Sequence, residues 1–393
     1  MRKICTRCIL DSTVPEITFD SLGECNYCKM HDEVIKLNPS GEKGERILDE
    51  IVRDIKQSGK NKKYDCLIGI SGGTDSSYTL WLMKKMGLKP LAVHFDNGWN
   101  SEIAVQNIKN ATNILDIDLV TVVADWEEFK DLQVAFLKSS TPDAEVPTDY
   151  AIISVLLKIA KDEGIKYIIE GQSTRAEGTT PLGWTYHDGR YLRSVHKKFG
   201  KIRKIKSFPL LSLTQLLYYF FIKRIKLVRP LEFMDYNKKM AKDVNIKELA
   251  WKDPGGHHHE SIFTKFFQSF YLVEKFNIDK RKREFSAKIR SGDMTRNRAL
   301  ESIKRPYPVE DGIVDYTISK LNLSAKEFEE ILKAPVKTFL DYPTYYPLIQ
   351  LLRWPIKIAC KLKIFPVIFY YKYGVDHSIS IKRYWENFNK KIK

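Results

Sequence analysis

The chain has no apolar run approaching the roughly 18 to 20 uninterrupted residues that a spanning helix needs. Its start, MRKICTRCILDSTVPEITFD, lacks the apolar stretch and small-residue cleavage site of a secretory signal. A cytoplasmic location is therefore expected. Cysteine is scarce, six in all, and four of the six fall within the first 28 residues. In a reducing compartment such crowding reads as metal ligation before it reads as a disulfide framework. The one loop rich in glycine and serine has neither G-x-x-x-x-G-K-[ST] nor G-x-G-x-x-G spacing, which disfavours an ordinary P-loop kinase or a dinucleotide dehydrogenase.

What is present is a 393-residue chain, 43% hydrophobic, with a formal net charge of +16. That is enough apolar material for one large domain or several smaller ones. The positive charge suits acidic partners: nucleotides, sugar nucleotides, nucleic acid or an anionic membrane face. No RNA-reading motif accompanies it, so nucleic acid is not expected.

Strand-like runs at 64–70, 89–95, 118–124, 166–171 and 225–230 alternate with helical patterns at 75–86, 101–114, 126–138 and 149–163. The alternation predicts an α/β fold with a Rossmann-like, doubly wound parallel sheet that binds ligands at the carboxyl ends of its strands. Three regions are expected: a cysteine-rich segment over 1–42, the α/β domain over 43–240 with an insertion at about 172–224, and a mostly helical region over 241–393.

Between the first strand and its helix lies Ser71-Gly72-Gly73-Thr74-Asp75-Ser76. Glycines let backbone N–H groups close on phosphate oxygens, and the following helix aims its positive end at the same spot. Asp75 cannot take phosphate itself, so it implies Mg²⁺ or a reacting group nearby. The S-G-G-x-D-S spacing resembles the PP-loop ATP pyrophosphatases, which cleave ATP between its α- and β-phosphates. By that resemblance the backbone from Val93 to Phe95 would meet adenine, Asp96 or Asn97 would sit near ribose or Mg²⁺, and Gly171 would close the nucleotide site.

Cys5-x2-Cys8 and Cys25-x2-Cys28 form two knuckles of the kind that close a tetrahedron around structural Zn²⁺. A four-thiolate site also suits an iron–sulfur cluster. Cys66 and Cys360 fall in apolar patterns and are expected to be small buried side chains.

A PP-loop chain with a zinc knuckle and basic charge could modify tRNA, by lysidine synthesis or thiolation. The segments YDCLIGISGGTDSSYTL, VHFDNGW, PTDYAI, HKKFG and HHHESIFTKFFQSFYLVEKFNIDKRKREFSAKIRSGDMTR, taken in order, instead resemble the N-acetyl sugar amidotransferases. Those are bacterial surface-polysaccharide enzymes that convert a sugar acetamido group to acetamidino. The resemblance implies ATP, an O-adenylyl imidate, ammonia from a separate glutaminase subunit, and a sugar or sugar-nucleotide substrate.

It also implies site residues. Glu177 would bind substrate or handle ammonium protons, Trp184 and Asp188 would contact substrate, and His258, Glu260 and Ser261 would form an active-site edge in which His258 shuttles a proton that Glu260 orients. His257 stands where the family has lysine, and GQSTR departs from its glycine-rich start. Three consecutive histidines diverge too much to share one ion. The basic residues of DKRKREF could meet substrate phosphates, but a solvated helix face is the favoured reading. In the C-terminal stretch YYPLIQLLRWPIKIACKLKIFPVIFYYKYG the favoured reading is core or subunit contact, with peripheral membrane attachment as the alternative.

Overall fold

The structure is a computed structural model that describes residues 2–255, 259–361 and 369–392. Five parallel strands, β1 (Cys66–Gly69), β2 (Pro90–Asp96), β3 (Leu119–Val123), β4 (Tyr167–Ile169) and β5 (Lys226–Val228), pair in the order β3-β2-β1-β4-β5. Ile68 pairs with Ala92 on one side and with Ile169 on the other, so β1 is central. Its Cys66, Leu67 and Ile68 are all fully buried, as a strand covered on both faces requires.

Helices α1 (Asn26–Leu37) and α2 (Gly41–Ser58) precede the sheet, followed by α3 (Thr74–Lys85), α4 (Glu102–Leu115), α5 (Trp126–Ser139) and α6 (Val146–Asp162). One face of the sheet, through Ile68 and Ala92, packs on Ile55 of α2, Leu80 and Met83 of α3 and Ile108 of α4. The other face, through Leu67, Val93 and Phe95, packs on Phe129, Leu132 and Phe136 of α5 and on Val155 and Leu156 of α6. The sheet is thus doubly wound, with the switch of strand order beside β1.

The insertion carries α7 (Thr174–Glu177) and α8 (Gly189–Phe199). Its basic run is fastened by backbone amides to two carboxylates one turn apart on α5. Asp131 accepts from Lys201 N at 2.8 Å and Ile202 N at 3.0 Å, and Glu128 accepts from Lys206 N at 2.6 Å, Ser207 N at 2.8 Å and Phe208 N at 3.0 Å. Burial works against ionisation of both, but the donated N–H groups outweigh it and hold both carboxyls below their ordinary values.

After β5 the described chain is helical, from Lys238–Leu249 through Arg281–Arg290 and Ile313–Lys320 to Ser378–Ile392. One expectation needs correction: Lys282 and Arg283 of the DKRKREF run are buried, because Lys282 pairs with Asp11 at 3.3 Å and the Arg283 guanidinium donates to Thr180. The helix Arg353–Lys361 turns only part of its surface inward, leaving Trp354 and Ile358 exposed.

Candidate active site

Gly72 has φ +77°, and a Cβ there would stand 2.4 Å from the Ala104 carbonyl oxygen of α4, so the position admits only glycine without strain. The loop is held open from behind. Trp251 Nε1 and Asn107 Nδ2 both donate to the Gly72 carbonyl, at 2.8 and 3.1 Å, and Asn245 Nδ2 donates to Thr74 O at 2.9 Å. Ser71 N donates to Ser76 Oγ at 3.2 Å, and Gly73 N donates to Ser71 Oγ at 3.3 Å.

Into this cradle comes the Glu260 carboxylate, which accepts from Ser71 Oγ at 3.2 Å. A Cβ on Gly73 would meet it at 2.7 Å. The segment reaches the loop through an antiparallel bridge between Asn100 and Ser261, with Ser101 N donating to Glu260 O at 2.9 Å and Ile262 N to Trp99 O at 2.8 Å. Ser261 itself caps the next helix, its Oγ accepting from Thr264 N at 3.3 Å. His258 lies outside the described residues.

Asp75, on the first turn of α3, accepts from the Tyr236 hydroxyl and pairs with Lys238 Nζ at 3.3 Å. Burial and the Asp75 charge push the Tyr236 hydroxyl up. For Lys238 burial opposes the charge, and Asp75 and Glu177 overcome it, leaving the ammonium above its ordinary value. Neither residue carries a sequence signal of its own. Only the chain's return past β5 brings MDYNKK over the loop.

Gly171 makes room for backbone: a Cβ there would lie 2.9 Å from Asp75 O, so β4 and α3 could not approach as they do. Asp96 accepts from Gly98 N and Asn100 Nδ2, both at 2.9 Å. Asn97 is buried, donating to Thr148 Oγ1 at 3.3 Å. The Val93 carbonyl accepts from Ile70 N at 2.9 Å and is spent within the sheet. Phe95 points to the α5–α6 face, lining a cavity of about 190 Å³ with Val122, Ala124, Val155 and Phe208.

Glu177 ends α7, and its charge favours the charged forms of Lys238 and Lys280, so it lies within electrostatic reach of both. Lys280, before the helix Arg281–Arg290, is pushed down to about 8 by burial and then by the Arg283 charge, against Glu145, Asp149 and Glu177. The structure gives two of the expected substrate residues other work. Trp184 is 2% exposed within the core. Asp188 caps α8, accepting from Tyr191 N at 2.6 Å and Tyr345 N at 2.7 Å as well as from the Tyr186 hydroxyl.

Cys5, Cys8, Cys25 and Cys28 are fully buried with every Sγ within 4.8 Å of the others. The Sγ of Cys8 and of Cys28 each lie 3.7 Å from that of Cys25. Tetrahedral Zn–S bonds of about 2.3 Å give an S–S edge of about 3.8 Å, so the cluster has the size of a zinc site. Four thiolates around Zn²⁺ leave two negative charges, and Arg290 Nη1 approaches Cys28 Sγ at 3.8 Å. Arg296 donates to the Cys5 and Cys8 carbonyls at 2.8 and 3.0 Å. Through Glu16, which accepts from Leu182 N at 2.5 Å, the knuckle also holds the insertion.

Residues 260–355, beginning at the glutamate that enters the cradle, match the family described as LPS biosynthesis protein WbpG-like, C-terminal domain. Over these residues the chain is similar to that family. Uncharacterized protein MJ1599 of Methanocaldococcus jannaschii is 26% identical over 313 residues, which is 77% of this chain and 93% of that protein. Among solved structures, NMN synthetase from Francisella tularensis aligns at 16% identity and a TM-score of 0.31, over 72% of this chain and 97% of that one. A predicted subunit of tRNA methyltransferase from M. jannaschii aligns at 14% identity and 0.29, over 55% and 90%. The matched segment contributes Glu260 to the loop, with Ser261 bridged to Asn100 beside it.

Proposed function

We propose that this WbpG-like protein is an ATP-dependent amidotransferase of surface-polysaccharide biosynthesis, converting a sugar acetamido group to acetamidino. The observation that carries the reading is the meeting of a PP-loop with the first residues of a domain described for LPS biosynthesis, at Ser71 and Glu260.

The loop would grip the β- and γ-phosphates of ATP through Ser71, Gly72, Gly73 and Ser76, leaving the α-phosphate open. Asp75, on the first turn after the loop, and Asp96, at the carboxyl end of β2, are hard oxygen donors that would hold Mg²⁺, which neutralises phosphate charge; few protein ligands are needed when phosphates supply the rest. The acetamido oxygen attacks the α-phosphorus and pyrophosphate leaves, giving an O-adenylyl imidate. Ammonia from a partner glutaminase then adds to the imidate carbon, and the bond to AMP breaks. Glu177, in reach of Lys238 and Lys280, would take protons from the incoming ammonium, and Lys238 would balance charge at the α-phosphate as Asp75 turns to the metal.

The test is product analysis with ATP, ammonium and candidate acetamido sugars. AMP and pyrophosphate should form only when both sugar and ammonium are present, and the sugar should change mass by the exchange of O for NH. Consumption of ATP that required tRNA instead would sink the sugar reading.

A further inference from the structure

The helices Tyr346–Leu351 and Arg353–Lys361 have a side that nothing among the described residues covers. Leu351 is 77% exposed, Trp354 63% and Ile358 58%. Trp354 and Ile358, four residues apart, lie on one stripe of the second helix, and Leu351 ends the first helix just before it. Lys361 prolongs the stripe, and Lys357 stands beside it with its ammonium 5.3 Å from the centre of the Trp354 ring. The opposite side is anchored: Cys360 is buried, and Gln350 Nε2 donates to Tyr373 O at 2.6 Å. The outward side thus presents large apolar side chains.

The charges these two helices carry have one sign: between Tyr346 and Lys361 stand Arg353, Lys357 and Lys361 and no Asp or Glu. An apolar face with a tryptophan, on helices whose own charges are all cations, is what a bilayer interface of negative headgroups complements: the rings and aliphatics enter the acyl boundary and the cations stay with phosphate. A protein partner would ordinarily be met with charges of both signs. Among the described residues no helix is long and apolar enough to cross a membrane, so the contact would lie on the surface.

We propose that this face docks the protein on an anionic phospholipid bilayer. The inference stands apart from the proposed reaction, since it uses no residue of the PP-loop site.

The full-length protein is sedimented with vesicles of phosphatidylcholine alone and with vesicles containing phosphatidylglycerol. Binding to the anionic vesicles only, released by high salt as the lysine and arginine attractions are screened, is the expected result. The triple variant Leu351→Ser, Trp354→Ser, Ile358→Ser should bind about tenfold or more weakly, with an unchanged melting temperature because its sites are solvent-exposed. The pair Lys357→Glu, Lys361→Glu should weaken binding most at low salt. Failure to bind anionic vesicles overturns the proposal, as does equal binding by the triple variant. So does a wild-type dimer, without vesicle binding, that the triple variant turns into a monomer, for then the face belongs to a second copy.

Discussion

Ser71 and Glu260 are 189 residues apart in the chain, yet the Ser71 hydroxyl donates to the Glu260 carboxylate at 3.2 Å. A carboxylate thus sits where backbone N–H groups and a helix N-terminus favour an anion. On the proposed function, phosphate arriving from ATP would either displace it or share the cradle through a cation. The bridge from Asn100 to Ser261 makes this contact a property of two chain regions at once.

Glu260→Gln should therefore separate the two possibilities. Without Mg²⁺ the variant should bind a non-hydrolysable ATP analogue about fivefold more tightly, the worth of roughly 1 kcal/mol for a partly solvated hydrogen bond to a charged group. With Mg²⁺ its turnover should fall by tenfold or more, because a group placed against the loop is lost. Calorimetry with and without EDTA reads the first effect; equal affinities there would show that Glu260 does not contend with phosphate.

Lys238 and Tyr236 both hold Asp75, but with different consequences for ATP. Lys238→Ala removes a cation beside the loop and should lower kcat/KM for ATP by about a hundredfold, in the range for a charged contact at a phosphoryl centre. Tyr236→Phe removes one hydrogen bond and leaves the charge, so a loss of about tenfold or less is expected. Pyrophosphate release at saturating sugar and ammonium distinguishes them, and equal losses would mean that Asp75 is merely being held in place.

The loop and the sheet around it were legible because each is local: a buried apolar run, two glycines and a helical pattern lie within twenty residues of one another. The cysteine quartet was legible for the same reason, since two C-x2-C knuckles fix their own shape. What supports the loop was not. Trp251, Asn107 and Asn245 meet it only after the chain has crossed the sheet, and a lone Trp or Asn carries no spacing to betray it. The family resemblance marked Trp184 and Asp188, while the burial of the one and the helix-capping bonds of the other come from packing that no local pattern announces. DKRKREF looked solvated because charge predicts exposure until partners such as Asp11 and Thr180 arrive from elsewhere.

The knuckle's ties make a prediction about metal. Purified protein should carry a single zinc ion per chain and no visible absorption, which an iron–sulfur cluster would give. Cys25→Ser should lose the metal and lower the melting temperature by several degrees, since a closed thiolate site contributes to folding directly. Protease sensitivity should rise first near Leu182 and Arg296, which hydrogen bonds tie to the knuckle. A metal-free variant with unchanged melting and cleavage would rule out a structural role.

Lys280 offers a pH dependence whose sign can be worked out. Its ordinary value is 10.5, and burial followed by the Arg283 charge brings it to about 8, with Glu145, Asp149 and Glu177 pulling the other way. Because the folded value lies below the unfolded one, its contribution to stability is whole above pH 10.5 and is lost as pH falls through 8. Activity should run opposite if the ammonium meets an anionic part of the reactants. The kcat/KM for the sugar should then be flat at neutral pH and decline above about 8, where Lys280 loses its proton. Lys280→Arg keeps the charge and should abolish that decline, while Lys280→Met should cost about tenfold at pH 7 and flatten the profile. An alkaline limb that survives in the arginine variant would assign it to another group.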